Sequence, residues 1–475
     1  MVKVAFIQDE LRTRDGIMIL SAVLKKAGHK TSVFSKEGEK DLIKSVLEYD
    51  PYIIALSSST YEHKIMIKIA NQIKAADKSK FIIMGGPHPT FFPEVIYEKS
   101  IDAICIGEGE EAMVEVANKI KSDISRIKNI WIKNKGKIIK NPIRDLIDID
   151  KIPFSDREIY YKRYPSLKSE ETKIFMVARG CPYSCSYCFN HVLKKMYQGK
   201  GIFMRYRNPR LVIREIKDVK KKYGLKWIQF NDDTFNINKE WVNNFLKMYR
   251  KEINIPFIVN IRVDNVTEDE IKMFKEAGVD RINFGVEHGN EQFRKKYLNR
   301  QMSNAQIIKV GRLCNKYSIR LFTANMVGFP NETIQLALET IKLNRQFKTE
   351  WASCSVLQPY PKTEICDFCK QAGFLKKDYN INDLNAPNTW NADIKVTDSV
   401  LKQKNMKALV NLHCFFNVLV NHYWLLPIIY PLLYFKPNQL YEMIWQWPYF
   451  KRKLSYANSK TEKKMLYKKY LGWKT

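Results

Sequence analysis

The chain has 475 residues, 45% hydrophobic and 27% charged, an ordinary globular composition that excludes a disordered or fibrous protein. At roughly 150 residues per domain this length predicts about three domains, each large enough to bury a core without disulfide staples. Eighty Lys and Arg against 50 Asp and Glu leave a net charge of +30. That excess admits a polyanion partner, an anionic membrane surface, or a lysine-rich composition with no function behind it.

The lysines recur along the whole chain (Lys25–Lys26, Lys220–Lys222, Lys463–Lys469) rather than in one patch, so nucleic acid is not an expected partner. Three of the nine cysteines fall within eight residues, at Cys181, Cys185 and Cys188. In a large chain, thiols clustered in this way read as metal ligands and not as a disulfide framework. The first residues, Met1-Val-Lys-Val-Ala-Phe-Ile-Gln8, read as a β-strand and not as a signal peptide. A cytoplasmic, reducing compartment is therefore expected.

In chain order, residues 3–121 predict strands at Val2–Ile7, Thr31–Phe34, Tyr52–Leu56, Phe81–Met84 and Ala103–Ile106. Helical patterns such as Ile17–Ala27, Lys40–Glu48 and Glu62–Ala76 lie between them. This alternation predicts an α/β fold, an open parallel sheet with helices on both faces. Ligands of such sheets sit beyond the carboxyl ends of the strands. Those ends are Ser57-Ser58-Ser59-Thr60, Gly85-Gly86-Pro87-His88 and Gly107-Glu108-Gly109-Glu110, which read either as ordinary turn chemistry or as a ligand crevice.

Residues 126–170 read as a connector, with a possible hairpin of Asn129–Ile132 and Lys137–Lys140. A second series then predicts strands at Ile174–Val177, Trp227–Asn231, Phe257–Ile261, Arg281–Gly285, Arg320–Val327 and Ala352–Leu357. Helices are expected at Pro209–Lys222, Lys239–Lys251, Glu268–Ala277, Asn304–Lys316, Glu332–Phe347 and Thr363–Ala372. Six β-α repeats are too few for a closed eight-fold barrel, so a partial barrel is expected, with functional residues at the C-terminal ends of its strands. The division is thus 1–125, 126–170, 171–375 and a mostly helical, aromatic-rich region at 376–475.

Within that last region Phe415–Phe435 has the length of a membrane span. Asn417, Asn421, His422, Pro427 and Pro431 interrupt it, and basic flanks lie at Lys402–Lys407 and Lys451–Lys453. The segment reads either as a helical cap on the barrel or as an interfacial segment that touches a membrane.

The sharpest signal is Cys181-Pro-Tyr-Ser-Cys185-Ser-Tyr-Cys188, placed after the first strand of the second series. An iron–sulfur cube normally takes four thiolates, so a C-x3-C-x2-C loop leaves one iron open, as a catalytic metal requires. The alternative is a closed zinc site completed by His191 or by Cys366 and Cys369. Cys354, Cys366 and Cys369 read either as ligands of a second cluster or as buried free thiols.

Ala178-Arg-Gly-Cys181 through Cys188-Phe-Asn190 closely resembles the loop of the radical S-adenosylmethionine (SAM) enzymes, which holds a [4Fe–4S] cluster, with Tyr187 at the aromatic position. The resemblance continues at strand ends. Phe230-Asn-Asp232-Asp233 resembles the motif that holds the SAM amino group, and Asn260-Ile-Arg262 the polar positions near its carboxylate. Gly285-Val-Glu287 resembles the motif whose acid binds the ribose, and Met326-Val-Gly328 the segment lining the adenine. The N-terminal sheet resembles the Rossmann-like cobalamin-binding domain of one branch of this superfamily. Its matching positions are Ser57, Ser58, Ser59, Gly85, Gly86, His88, Gly107 and Glu108. No Asp-x-His-x-x-Gly loop supplies a histidine to cobalt; the nearest segment, Asp9–Gly16, has none.

The resemblance covers about residues 1–375. It implies that an electron entering the cluster of Cys181, Cys185 and Cys188 cleaves SAM to a 5′-deoxyadenosyl radical, which activates a substrate carbon for methylation by methylcobalamin. It also implies a reducing donor such as flavodoxin or ferredoxin. The substrate is a small molecule, with a lipid or other apolar natural product made attractive by the hydrophobic C-terminal region, which is the expected lid. Three alternatives stay open: radical ring closure or rearrangement without methyl transfer, RNA methylthiolation, and a cobalamin-binding sensor. Methylthiolation is the poorer match, because its N-terminal domain carries three cluster cysteines and this one has only Cys105.

Overall fold

The computed structural model describes residues 1–384, 399–436, 438, 440–441, 443–447 and 450. Two compact units form, Met1–Gly180 with Met196–Asn231, and Cys181–Lys195 with Asp232 onward.

In the first unit β1 (Lys3–Gln8), β2 (Lys30–Ser35), β3 (Ile53–Ser57), β4 (Phe81–Gly85) and β5 (Ala103–Cys105) run parallel in the order β2-β1-β3-β4-β5. Their apolar residues alternate between two cores. Val4, Phe6, Ile53, Ala55 and Ile83 face Ile17, Met18 and Leu24 of helix Asp15–Lys26 and Val116 of helix Glu110–Lys119. Ala5, Ile7, Ile54, Leu56 and Met84 face Val46, Met66, Ile69 and Ile73 of helices Leu42–Tyr49 and His63–Ala76. A sheet covered on both faces needs continuous apolar strands, as these are. The strand order reverses between β1 and β3, which is where such a sheet opens a crevice.

The structure departs from the sequence expectation after residue 125. The hairpin forms as β6 (Ile130–Asn134) and β7 (Lys137–Lys140), and β6 pairs antiparallel with β5, so the sheet has seven strands. Lys135 (φ 47°) and Gly136 (φ 77°) supply the two left-handed residues that a tight hairpin turn requires. The buried Asn129 fastens the junction by donating from Nδ2 to the carbonyls of Ile106 (2.9 Å) and Glu108 (2.8 Å). The polar-looking stretch that follows is also packed: Tyr160, Tyr161 and Tyr164 are buried, and Tyr160 Oη donates to Gln8 Oε1 at 2.5 Å.

The second series begins in the same unit with β8 (Thr172–Phe175), the short antiparallel pair β9 (Ala178–Arg179) and β10 (Arg205–Tyr206), and β11 (Trp227–Phe230), which lies parallel to β8. The second unit holds β12 (Phe257–Asn260), β13 (Val279–Glu287), β14 (Arg320–Val327) and β15 (Trp351–Val356), all parallel. Intervening helices start at residues suited to cap them. Asn238, Thr267, Asn290 and Thr333 each accept a first-turn N–H, and Ser303 forms a capping box with Gln306. Helices Phe189–Met196 and Glu291–Leu298 were not expected from the sequence.

Phe415–Phe435 is not one span. Helix Met406–Asn421 ends at His422, a 3-10 turn covers Tyr423–Leu425, and a second short helix occupies Leu426–Leu432. Among the described residues no helix is long and apolar enough to cross a membrane. The first helix packs Leu409, Leu412, Phe416 and Leu419 into one core with Ile341, Val356 and Ile365. The asparagines that interrupt the apolar pattern tie it down: Asn417 Oδ1 accepts the Ala352 N–H, and Asn411 Nδ2 donates to the carbonyls of Leu433 and Phe435. The basic runs Lys451–Lys453 and Lys463–Lys469 lie outside the described residues.

Candidate active site

In the second unit the cysteine loop is held through its backbone. Ser186 N–H donates to the Leu298 carbonyl and Ile365 N–H to the Ser186 carbonyl, while Asn299 Nδ2 donates to the Ser184 carbonyl. Each sulfur has a polar neighbour. Thr234 Oγ1 is 3.8 Å from Cys181 Sγ, and the Asn190 N–H points at Cys188 Sγ from 3.5 Å. Arg262 Nη1 and Arg300 Nη1 approach Cys185 Sγ at 3.4 and 3.8 Å. Burial pushes the thiol of Cys181 up and that of Cys188 to about 12, so a bound metal is what would draw their protons off.

No three His, Cys, Asp or Glu side chains among the described residues are placed to share one metal ion. This does not favour the closed zinc site: Cys366 and Cys369 are buried in the C-terminal core, and the buried His191 has Nε2 3.9 Å from Glu364. Three thiols fit a cluster better, because a cluster spreads its thiolates over separate irons.

Around the loop, strand ends gather polar groups. Asn260 Nδ2 donates to the Asp232 carbonyl (3.0 Å), and Asn283 Nδ2 donates to Asn260 Oδ1 (2.9 Å). Burial raises the Asp233 carboxyl, opposed by a hydrogen bond with Asn190. Arg262 grips Asp264 through two nitrogens (2.8 and 3.0 Å) and lies 3.7 Å over the Tyr183 ring. Burial works against its charge, and the hydrogen bond and charge of Asp264, together with the Cys185 sulfur, more than offset it.

Glu287 is a non-glycine residue at φ 66°, at a register shift between β13 and β14. The left-handed backbone turns it out of the strand, a strain characteristic of functional sites. Burial raises its carboxyl, with Arg300 acting in the opposite direction. Sequence reading missed Arg300. Its Nη1 is 3.6 Å from Glu287 Oε1 and donates to Tyr187 Oη (3.1 Å), and its Nη2 donates to the Gly285 carbonyl (2.7 Å). A Cβ at Gly285 would sit 2.0 Å from Glu287 Oε1 and force that carboxylate to move.

Gly328 (φ 85°) is fixed by another unforeseen residue. Glu332 Oε2 accepts the N–H groups of Gly328 (2.6 Å) and Phe329 (2.9 Å), while Oε1 lies 3.2 Å from His288 Nε2. His288 Nδ1 accepts the Asn290 N–H, so Nε2 carries the proton that faces Glu332. A single buried carboxylate thus joins the end of β13 to the end of β14.

In the first unit the ends of β3 and β4 are laced together. Ser58 N–H donates to the Gly85 carbonyl and His88 N–H to the Ser58 carbonyl, both at 3.0 Å. Gly86 has φ 97°, and a Cβ there would lie 2.8 Å from Ser58 O. The ring of the buried His88 stacks on His63 with centroids 4.3 Å apart. Ser57, Ser58, Ser59, Gly85, Gly86 and His88 are thus brought to one edge of the sheet. Ser59 donates from its N–H (3.0 Å) and Oγ (2.8 Å) to Glu62, and Arg14 pairs with Glu62 while donating to the Ser57 carbonyl (3.3 Å).

Glu108 is engaged differently. Its carboxylate binds Arg205 (2.6 Å) and Arg179 (3.0 Å) and accepts the Ile147 N–H (3.1 Å). Burial opposes its charge, yet these partners hold its carboxyl below the usual range. Beside it Gly107 (φ 75°) leaves room for Tyr197 Oη, which accepts the Glu108 N–H at 2.9 Å. A cavity of about 460 Å³ opens beyond β1, lined by Arg12, Thr13, Arg14, Asp15, Gln229 and Asn231 among others. Its volume is within the range of cofactor and ligand sites.

Comparison with known families decides what this arrangement is. Residues 175–343 match the model of the radical SAM superfamily, and residues 14–117 match that of the B12 binding domain. The chain is a radical SAM enzyme with a B12-binding domain. Its cofactors are those of this branch: a [4Fe–4S] cluster, SAM and cobalamin. The enzyme is 27% identical to the uncharacterized methyltransferase PH0819 of Pyrococcus horikoshii, over 69% of this chain and 71% of the relative. It is 24% identical to the anaerobic magnesium-protoporphyrin IX monomethyl ester cyclase of Rubrivivax gelatinosus, over 74% of this chain and 67% of the relative. Among solved structures, the cobalamin-dependent SAM radical enzyme OxsB shares the fold, with a TM-score of 0.70, 17% identity, and coverage of 98% of this chain and 74% of that one.

Proposed function

We propose that this enzyme methylates an unactivated carbon of a small, apolar molecule. The observation that carries the reading is the presence of both domains on one chain that also matches a relative named as a methyltransferase. When bound, the cluster with SAM supplies a carbon-centred radical and cobalamin supplies the methyl group. Residues 171–375 hold the first pair, residues 1–125 with the added hairpin hold cobalamin, and residues 376–475 form a cap.

Cys181, Cys185 and Cys188 are the cluster ligands in this reading, and Arg262 and Arg300 keep positive charge at Cys185. SAM is bound by Asp232, Asp233, Asn260, Arg262, Glu287, Gly328 and Tyr187. Arg300 orients Tyr187 and Glu287, and Glu332 holds the turn of Gly328. Ser57, Ser58, Ser59, Gly85, Gly86, His88 and Gly107 meet cobalamin. Glu108 serves through its backbone, since its carboxylate is already shared between two arginines. A flavodoxin- or ferredoxin-type donor delivers the electron.

The test is anaerobic loading with iron, sulfide and hydroxocobalamin, followed by turnover with methyl-deuterated SAM and small-molecule extracts. A product carrying the labelled methyl, with 5′-deoxyadenosine formed alongside, supports the reading. An unlabelled, ring-closed product moves the assignment to oxidative cyclisation, the second reading, which the cyclase-named relative favours. Protein that takes up iron and no cobalt overturns both.

A further inference from the structure

The cysteine segment, residues 181–195, departs from the first unit after Gly180, and the chain returns to that unit at Met196. One turn beyond β5, Gly107-Glu108-Gly109-Glu110, holds the residues on both sides of this excursion. On the departing side Arg179, two residues ahead of Cys181, donates from Nη1 to Glu108 Oε1 (3.0 Å) and from Nη2 to Glu110 Oε1 (2.5 Å). On the returning side Arg205 grips the Glu108 carboxylate with two nitrogens (2.6 and 3.1 Å) and donates to the Ile147 carbonyl (2.6 Å). The hydroxyl of the buried Tyr197, the second residue after the return, accepts the Glu108 N–H.

The pairing of β9 with β10 sets Arg179 directly opposite Arg205. Like charges so placed repel, and the Glu108 carboxylate between them converts the repulsion into a shared ion pair. The side chains of Glu108, Arg179 and Arg205 are 17%, 15% and 14% exposed, so solvent screens the pair little and its forked geometry holds. At Gly180 (φ 90°) a Cβ would meet the Phe203 carbonyl oxygen at 2.4 Å, so the departing strand lies hard against the returning one.

We propose that Glu108 is a positioning residue for the iron–sulfur cluster. Its carboxylate fixes the two ends of the segment that carries Cys181, Cys185 and Cys188, while its backbone meets cobalamin. The assignment rests on the reading of these cysteines as cluster ligands and of this turn as a cobalamin contact. Thiolates must be presented to a cluster at a fixed spacing, and loss of groups that orient metal ligands typically costs about 10–100-fold in metal affinity. Without the carboxylate, two shielded arginines face each other unpaired and both ends of the cysteine segment come loose.

The experiment loads wild type, Glu108→Gln, Arg179→Gln and the double variant anaerobically with iron, sulfide and hydroxocobalamin. It reads iron and cobalt per chain, iron release to a chelator, and the electron paramagnetic resonance spectrum of the reduced cluster. Glu108→Gln is expected to release iron about tenfold faster or more and to change the cluster spectrum, with cobalt kept at the wild-type level. Arg179→Gln should do the same, and the double variant should be no worse than either, because the two residues act through one contact. The two substitutions change charge in opposite directions. A purely electrostatic influence would therefore move iron release in opposite senses, which overturns the assignment. Wild-type iron release in a folded Glu108→Gln overturns it, and so does loss of iron and cobalt together, which would make Glu108 a general support of the first unit. Should Glu108→Gln not fold, Arg205→Lys, which keeps the charge and loses the two-nitrogen grip, decides by the same readouts. Wild-type protein without cobalt defeats the proposed function instead, and the iron readouts still decide on Glu108.

Discussion

Glu332 shows how much one buried side chain can organise. It accepts two backbone N–H groups at the turn of Gly328 and lies beside His288, so truncation leaves both N–H groups unpaired. Glu332→Ala is expected to cost about 3 kcal/mol or more in urea unfolding and to weaken retention of SAM by the loaded enzyme. His413 carries a pH dependence. Burial pushes its imidazole down to about 4, opposed by a bond to the Cys354 backbone, so the folded chain holds it neutral while the unfolded chain protonates it near 6.5. The unfolded state therefore binds more protons between these values, and stability falls as pH drops from about 6.5 to 4, by up to about 3 kcal/mol. The wild type should lose stability relative to His413→Leu as pH falls from about 6.5 to 4, read from denaturation midpoints; parallel curves would show that His413 contributes no such dependence.

Among the elements, helix Met406–Asn421 is the main apolar support of the C-terminal core. Phe416 is fully buried within it, and Phe416→Ala is expected to destabilise by about 3–5 kcal/mol, read as a lowered denaturant midpoint. Strands were legible in the sequence because short apolar runs bounded by Gly, Ser and Asn have few other uses. The three clustered cysteines were legible because their spacing alone restricts what they can bind. Arg300 was not, since it reaches Cys185 from a helix end 115 residues further along the chain, and nothing local distinguishes it from a surface arginine. The carboxylate of Glu108 was equally hidden: Gly-Glu-Gly-Glu reads as a turn, and its arginine partners lie 71 and 97 residues away. The hairpin β6–β7 was visible as a hairpin, yet its pairing with β5 is a long-range choice that turn residues do not encode.

At the scale of the whole molecule, the two cofactor domains imply separable loading. Cys185→Ala is expected to abolish iron uptake on anaerobic reconstitution while leaving about one cobalt per chain, measured by elemental analysis of the same sample. Loss of both metals together would mean that the cluster loop is required for cobalamin retention. The course of the chain adds a constraint on any such dissection. Residues 1–180 and 196–231 form one unit, and 181–195 and 232 onward form the other, so the polypeptide passes from one to the other three times. No single cut in the backbone yields two complete halves. A protease nick near residue 180 would sever the cysteine segment from the strand that introduces it, and a gene truncated there would encode a first unit lacking β10 and β11. Independent expression of the two units therefore calls for rewiring the chain, by excising the cysteine segment and closing the gap, rather than for choosing a boundary.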